Sequence, residues 1–288
     1  MTRFLHNTLH VTGDYRAALG ESPVWCDWSA SLLWVDILAG KLLRYWPQIH
    51  KTEIQAMPRF TSAVLLTDSP DIFLIVSQSG IWRYEYRTMT RTLLCPWPED
   101  EATTRPNESA IAPDGALWFS CMDPEAKRIA GSWYCLRQSN APLQRMLSGL
   151  QVPNTLQWYE GYLWFADSLR QRFYCGQESA LSLHIHQEYP IDGIADGSAL
   201  TADGMLINAR WGEAKLVCIS LHQTQMMLTG EIPLPVTQPT SCTFGGPELN
   251  TLFITSAQDG LAQSGDSDGA LLTIKTTHKG LPANRFRL

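Results

Sequence analysis

Leu32-Leu33-Trp34-Val35-Asp36-Ile37, the turn Ala39-Gly40, and Lys41-Leu42-Leu43-Arg44-Tyr45-Trp46 set two apolar, alternating runs on either side of a turn. Period-two alternation interrupted by a glycine-bearing turn reads as a β-hairpin. The same unit returns as Ile72 to Val76, the turn Ser79-Gly80, and Ile81 to Tyr86. It recurs from Leu117-Trp118-Phe119 to Trp133-Tyr134-Cys135, from Leu163-Trp164-Phe165 to Phe173-Tyr174-Cys175, from Met205-Leu206-Ile207 to Leu216-Val217-Cys218, and from Leu252-Phe253-Ile254 to Leu271-Leu272-Thr273-Ile274. The six leading runs are spaced by roughly 40 to 46 residues, the period of four-stranded propeller blades. Pro113-Asp114-Gly115, Glu160-Gly161 and Ala202-Asp203-Gly204 supply turns ahead of three of them.

An all-β, six-bladed propeller with a central channel follows, as one domain over residues 1–288. Helical periodicity is scarce, and 17 prolines oppose long helices. Asn7-Thr8-Leu9-His10-Val11 has strand character but precedes the first full unit. It is expected to complete the last blade, closing the ring with N- and C-terminal strands side by side, so that only short edges stay exposed. Eleven tryptophans suit the gaps between stacked sheets.

The net charge of −6 gives no footprint for nucleic acid or an anionic membrane, which call for clustered Lys and Arg. No apolar run reaches membrane-spanning length, and Met1 to His6 lacks the apolar region of a secretion signal. Seven cysteines, scattered without a CxxC pair, fit free thiols in a reducing compartment. The expectation is a cytoplasmic protein, monomeric or weakly dimeric.

Four polar clusters stand outside the repeat. Gly20-Glu21-Ser22-Pro23, Arg105-Pro106-Asn107-Glu108, Val152-Pro153-Asn154-Thr155 and Ala195-Asp196-Gly197 each lie shortly before a blade's apolar run. That is the place of the innermost strand, so Glu21, Asn154 and Asp196 are expected to face one another across the channel. Two carboxylates and an amide carbonyl form an oxygen-only set suited to Ca²⁺, Mg²⁺ or Mn²⁺. Asp and Asn at such places also serve as plain turn residues.

These clusters, together with Leu156-Gln157-Trp158, Leu163 to Ser168, Pro239-Thr240-Ser241-Cys242-Thr243-Phe244-Gly245-Gly246 and Thr255-Ser256-Ala257, resemble the senescence marker protein/gluconolactonase/regucalcin family over nearly the whole chain. The resemblance implies a six-bladed propeller with one divalent metal ion (Ca²⁺, Zn²⁺, Mg²⁺ or Mn²⁺) in the channel and a small sugar lactone as substrate. It implies Glu21, Asn154 and Asp196 as metal ligands and Arg105, Asn107 and Glu125 as substrate contacts. Four departures stand out, one of them Ala195-Asp196-Gly197 in place of Pro-Asp-Gly. Glu108-Ser109 replaces the usual Asp-Gly, which alters a group beside the site. Thr155 replaces a glycine, losing a residue tolerant of positive φ. Ser120-Cys121-Met122 replaces Gly-Thr-Met.

On this reading the chain hydrolyses an aldonolactone to the aldonic acid, with the metal polarising the carbonyl and Asp196 as general base. A non-enzymatic propeller that binds a cation or sugar as a regulator is the alternative, and a metal-dependent esterase or phosphotriesterase a third. His184-Ile185-His186 has no third ligand near it and reads as surface. A serine nucleophile is not supported, because the scattered histidines have no marked acid partner. Cys121 reads as packing.

Overall fold

A computed structural model describes residues 8–288. Six four-stranded antiparallel sheets form the ring. The first is β2 (Gly20–Cys26), β3 (Ser31–Asp36), β4 (Lys41–Trp46) and β5 (Lys51–Ala56), and the second β6 (Ala63–Leu66), β7 (Ile72–Ser77), β8 (Gly80–Glu85) and β9 (Thr90–Cys95). The third is β10 (Arg105–Ile111), β11 (Leu117–Met122), β12 (Gly131–Leu136) and β13 (Gln144–Leu150), and the fourth β14 (Pro153–Tyr159), β15 (Tyr162–Asp167), β16 (Arg172–Glu178) and β17 (Leu183–Pro190). The fifth is β18 (Ile194–Leu200), β19 (Met205–Trp211), β20 (Lys215–His222) and β21 (Gln225–Pro233). The sixth holds β22 (Gln238–Gly245), β23 (Thr251–Ala257), β24 (Leu271–Lys275) and, on its outer edge, β1 (His10–Thr12).

The closure expected from the sequence is present. β1 pairs antiparallel with β24, His10 opposite Thr273 and Thr12 opposite Leu271. The described strand covers His10–Thr12, and Asn7 lies outside the described residues. The innermost strands β2, β6, β10, β14, β18 and β22 touch in succession, and β22 returns to β2.

Each leading apolar run is the second strand of its blade, and the period-two alternation explains its near-complete burial. In β3, Leu33 and Val35 pack toward the second blade, whereas Leu32 and Trp34 pack toward the sixth. In β15, Leu163 and Phe165 join the third–fourth blade core, and Trp164 and Ala166 the fourth–fifth. Six such wedges fill the six interfaces between blades. A strand with apolar contacts on both faces cannot alternate with water, so these runs read as continuously apolar. Among the described residues the helical elements are short 3-10 turns such as Asp27–Ser29 and Glu99–Glu101.

The innermost strands are irregular where the polar clusters lie. Pairing slips at Glu21/Val24, Pro106/Ser109, Asn154/Leu156, Ala195/Ser198 and Pro239/Ser241. β6, the short inner strand of the second blade, pairs without a slip and presents Ala63 to Leu66. A bulge re-aims the residue it displaces. Five blades therefore turn polar groups toward the channel, and the second supplies an apolar wall. The seven cysteines are all free, and all but Cys95 are buried. Cys121 sits in the core between the second and third blades, and burial pushes its thiol up to about 12.

Candidate functional site

Glu21 and Asn154 occupy equivalent positions, opposite Val35 and Ala166 on their neighbouring strands, and each opens a bulge. Asp196 lies within the bulge of β18. The bulged backbone supplies amide donors to the carboxylates: Ser22 N donates to Glu21 Oε2 at 3.0 Å and Ser109 N to Glu108 Oε1 at 3.0 Å. The first and third blades thus repeat one device, a Glu-Ser step in which the serine amide holds the preceding carboxylate.

Hydrogen bonds carry the site around the ring. Arg105 Nη1 donates to Asn107 Oδ1 at 3.0 Å, and Asn107 Nδ2 donates to the carbonyl of Pro153 at 3.1 Å. This joins the third blade to the residue preceding Asn154. Asn154 Nδ2 then donates to Asp196 Oδ1 at 2.5 Å and to Ser168 Oγ at 3.3 Å. Thr155 Oγ1 donates to the Asp196 carbonyl at 2.5 Å, and Asn208 Nδ2 reaches the same carbonyl at 2.7 Å. Separately, the sixth blade is tied to the first, with Thr240 Oγ1 donating to the Gly20 carbonyl at 2.5 Å.

Negative charge exceeds positive charge here. Burial raises the Glu21 carboxyl well above its ordinary range, with Asp196 and then Glu108 adding to the rise. Burial also raises Asp196 well above its ordinary range, helped by Glu108 and opposed by the Asn154 amide. Glu108 is pushed up to about 7 by burial, against the amides of Ser109 and Thr155. Arg105 is the cation among them; burial pulls its guanidinium down, while Glu21, Asp196 and Asp259 hold it up.

Facing carboxylates short of counter-charge are a fitting place for a cation. Asn154 spends its amide nitrogen on Ser168 and Asp196, which leaves its carbonyl oxygen as the free end. Glu21, Asn154 and Asp196 thus offer hard oxygen donors from three blades, a set that fits a divalent cation. Among the described residues no three His, Cys, Asp or Glu side chains gather as a metal cluster, so this set depends on the amide of Asn154.

Glu125 stands apart from this group. It lies in the loop after β11, its side chain 70% exposed and paired with Lys127 Nζ at 2.7 Å. His184 and His186 lie exposed on the outermost strand β17, and His186 bonds Gln177. Asn208 and Asp259 join the site's hydrogen bonding and field without having been singled out from sequence. Asn208 carried a legible signal, a lone amide inside the apolar run of β19.

Comparison with known proteins identifies the family of this chain. Residues 19–258 match the family described as SMP-30/Gluconolactonase/LRE-like region. The chain is 30% identical to an L-arabinolactonase of Azospirillum brasilense, over 96% of this chain and 94% of that one. It is 26% identical to a regucalcin of Xenopus laevis, over 84% of each chain. Among solved structures, a regucalcin from Agrobacterium tumefaciens, described as a calcium-binding protein, superposes with a TM-score of 0.87 at 25% identity, covering 96% of this chain and 97% of that one. With a propeller, a bulged inner ring and a match over most of its length, the chain belongs to the SMP-30/gluconolactonase/LRE-like family.

Proposed function

We propose that this protein hydrolyses a sugar lactone, an aldonolactone, to the open aldonic acid, using a divalent cation held by Glu21, Asn154 and Asp196. The observation that carries the reading is the convergence of half-buried Glu21 and buried Asp196, under-compensated in charge, beside Arg105 in the channel of a chain similar to lactonases along most of its length. The cation, when bound, supplies polarisation of the lactone carbonyl and stabilises the developing oxyanion.

The chain's own groups supply the rest. Arg105, fixed by Asn107 and the Pro106 carbonyl, presents its remaining N–H groups to sugar oxygens. Asn107 is itself fixed by Pro153, so the pair is pre-oriented. Asp196 is the general base: Asn154 occupies its Oδ1, and Oδ2 is the oxygen that takes the proton from the attacking water. Glu125 contacts substrate only if it leaves Lys127.

The test is acid release from a panel of aldonolactones, followed with a pH indicator on metal-reconstituted and on chelator-treated protein. The expected result is turnover that chelation removes and that Asp196→Asn lowers by roughly 10²-fold or more with the folded state retained. Near-normal turnover by Asp196→Asn at unchanged metal content would overturn the base assignment. Silence across the panel in protein that binds a cation tightly would favour a cation-binding regulatory propeller, the reading suggested by the calcium-binding relative.

A further inference from the structure

The channel does not end at the carboxylates. On the other side of the bulges it opens into a chamber of about 850 Å³. Its ceiling is polar: Glu108 and the hydroxyl-bearing residues Ser22, Ser109, Ser198 and Ser241 line it from four blades. Its walls are apolar and aromatic, with Trp25, Trp158 and Phe244 the largest groups. Leu281 and Pro282, from the C-terminal segment, border its outer end.

Two observations point to an occupant. Ser109 lines this chamber and is 5% exposed, and its buried hydroxyl has no hydrogen-bond partner in the protein. A buried hydroxyl left unbonded costs about 1–3 kcal/mol, so a partner from outside the chain is favoured. The charge balance is also one-sided. Glu108 and Asp27 are the charged residues lining the chamber, and no Lys or Arg lines it. Asp27 is paired with Arg285, which leaves Glu108 without a cationic side chain bonded to it.

We propose that this chamber is a second binding site, for an organic cation: an ammonium head seated at Glu108 and Ser109 with an apolar or aromatic body against Trp25, Trp158 and Phe244. An ammonium donates hydrogen bonds and accepts none, which matches a ceiling of carboxylate and hydroxyl oxygens. Indole faces attract cations and pack well on flat apolar bodies. A metal ion fits less well, because the volume is large, the walls are apolar and no cluster of three acidic or imidazole ligands is present among the described residues. Glu108 also adds to the field at Glu21 and Asp196, but binding in this chamber is read without lactone turnover, so its failure and that of the lactone reading are distinguishable.

Titration calorimetry of phenethylammonium into the full-length, metal-reconstituted protein tests it, with 2-phenylethanol and phenylacetate as neutral and anionic counterparts. The expected result is saturable 1:1 binding of the ammonium, at least tenfold tighter than either counterpart. Glu108→Gln should weaken it at least tenfold, and Arg105→Ala should leave it unchanged. Ala110→Phe, on the chamber wall, should abolish it; Val24→Phe, on another wall, serves if that variant fails to fold. Absence of saturable binding, equal affinity for 2-phenylethanol, or binding lost in Arg105→Ala but kept in both wall variants would overturn the proposal.

Discussion

Thr155 holds a β-branched side chain at φ 47°, in the left-handed region such residues avoid. The strain, on the order of 1–3 kcal/mol, persists because the surroundings fix it. Its hydroxyl bonds the Asp196 carbonyl at 2.5 Å and Ser198 Oγ at 2.7 Å, and receives Asn208 Nδ2 at 3.1 Å. Thr155 therefore trades backbone ease for a tie between the fourth and fifth blades at the site itself. Thr155→Val keeps the strain and loses the tie, so it should cost about 1–3 kcal/mol in chemical denaturation. Thr155→Gly loses the tie but relieves the strain, and should cost less than the valine variant. The reverse order would show that the left-handed backbone carries no strain. A second prediction at this scale concerns protons. Glu108 loses its proton near the ordinary carboxylate pH when unfolded and at about 7 when folded, because burial disfavours its charge. Between those limits the folded state binds more protons, so stability falls as pH rises through the window. A shift of this size corresponds to about 3 kcal/mol. In chelator-treated protein, Tm should fall from about pH 5 to about pH 8, with Glu21 and Asp196 contributing in the same direction, and Glu108→Gln should make the fall shallower; parallel curves for the two proteins would exclude Glu108 as a source.

Asp36 and Asp167 show how whole strands are set in place. Each is the fully buried last residue of its blade's second strand. Asp36 accepts from the amides of Ala18 at 2.8 Å and Leu19 at 3.2 Å, and Asp167 from those of Gln151 at 2.8 Å and Val152 at 3.0 Å. In both blades the latched amides lead directly into the inner strand, two residues before Glu21 or Asn154. Asp167→Asn presents an amide nitrogen where an acceptor is needed and should cost about 2–3 kcal/mol. It should also weaken cation binding, measured by titration, because Asn154 is displaced; loss of stability with unchanged cation affinity would confine the latch to folding. This scale also separates what the sequence could disclose. The ladder of second strands was legible because Leu33, Leu117 and Leu163 sit in apolar runs at a fixed period. The inner strands were legible because Glu21, Asn154 and Asp196 broke that period at matching places. The latch was not, since Asp36 closes a strand pattern like any turn acid and its partners follow from the linker's path. Glu125 illustrates the same limit: its place by resemblance was clear, but its pairing with Lys127 depends on the course of the loop.

Across the whole molecule, ring closure rests on more than the β1–β24 pair. Beyond β24 the chain crosses the lower face of the propeller. Lys279 and Gly280 bond the fifth and sixth blades through Ala202 N and the Leu249 carbonyl. Asn284 Nδ2 donates to the Ile111 carbonyl of the third blade at 2.9 Å. Phe286 then pairs with the second blade, its amide donating to the Leu66 carbonyl at 3.0 Å and its carbonyl receiving Asp68 N at 3.0 Å. Arg285 reaches the first blade, paired with Asp27 and lying 3.6 Å from the Trp28 ring centre. One segment thus ties five blades, and it had no periodic signal because each contact is made with a different distant strand. Its anchor is Phe286, fully buried in the core between the second and third blades. Removing that ring opens a cavity and frees the end of the strap, so Phe286→Ala should cost about 3–5 kcal/mol. Arg285→Ala, which loses the ion pair with exposed Asp27, the stacking on Trp28 and a hydrogen bond to the Thr67 carbonyl, should cost less, about 1–2 kcal/mol. Denaturant midpoints of the two variants decide the matter. A small loss for Phe286→Ala, comparable with that of Arg285→Ala, would mean that the ring holds without its strap and that closure resides in β1 alone.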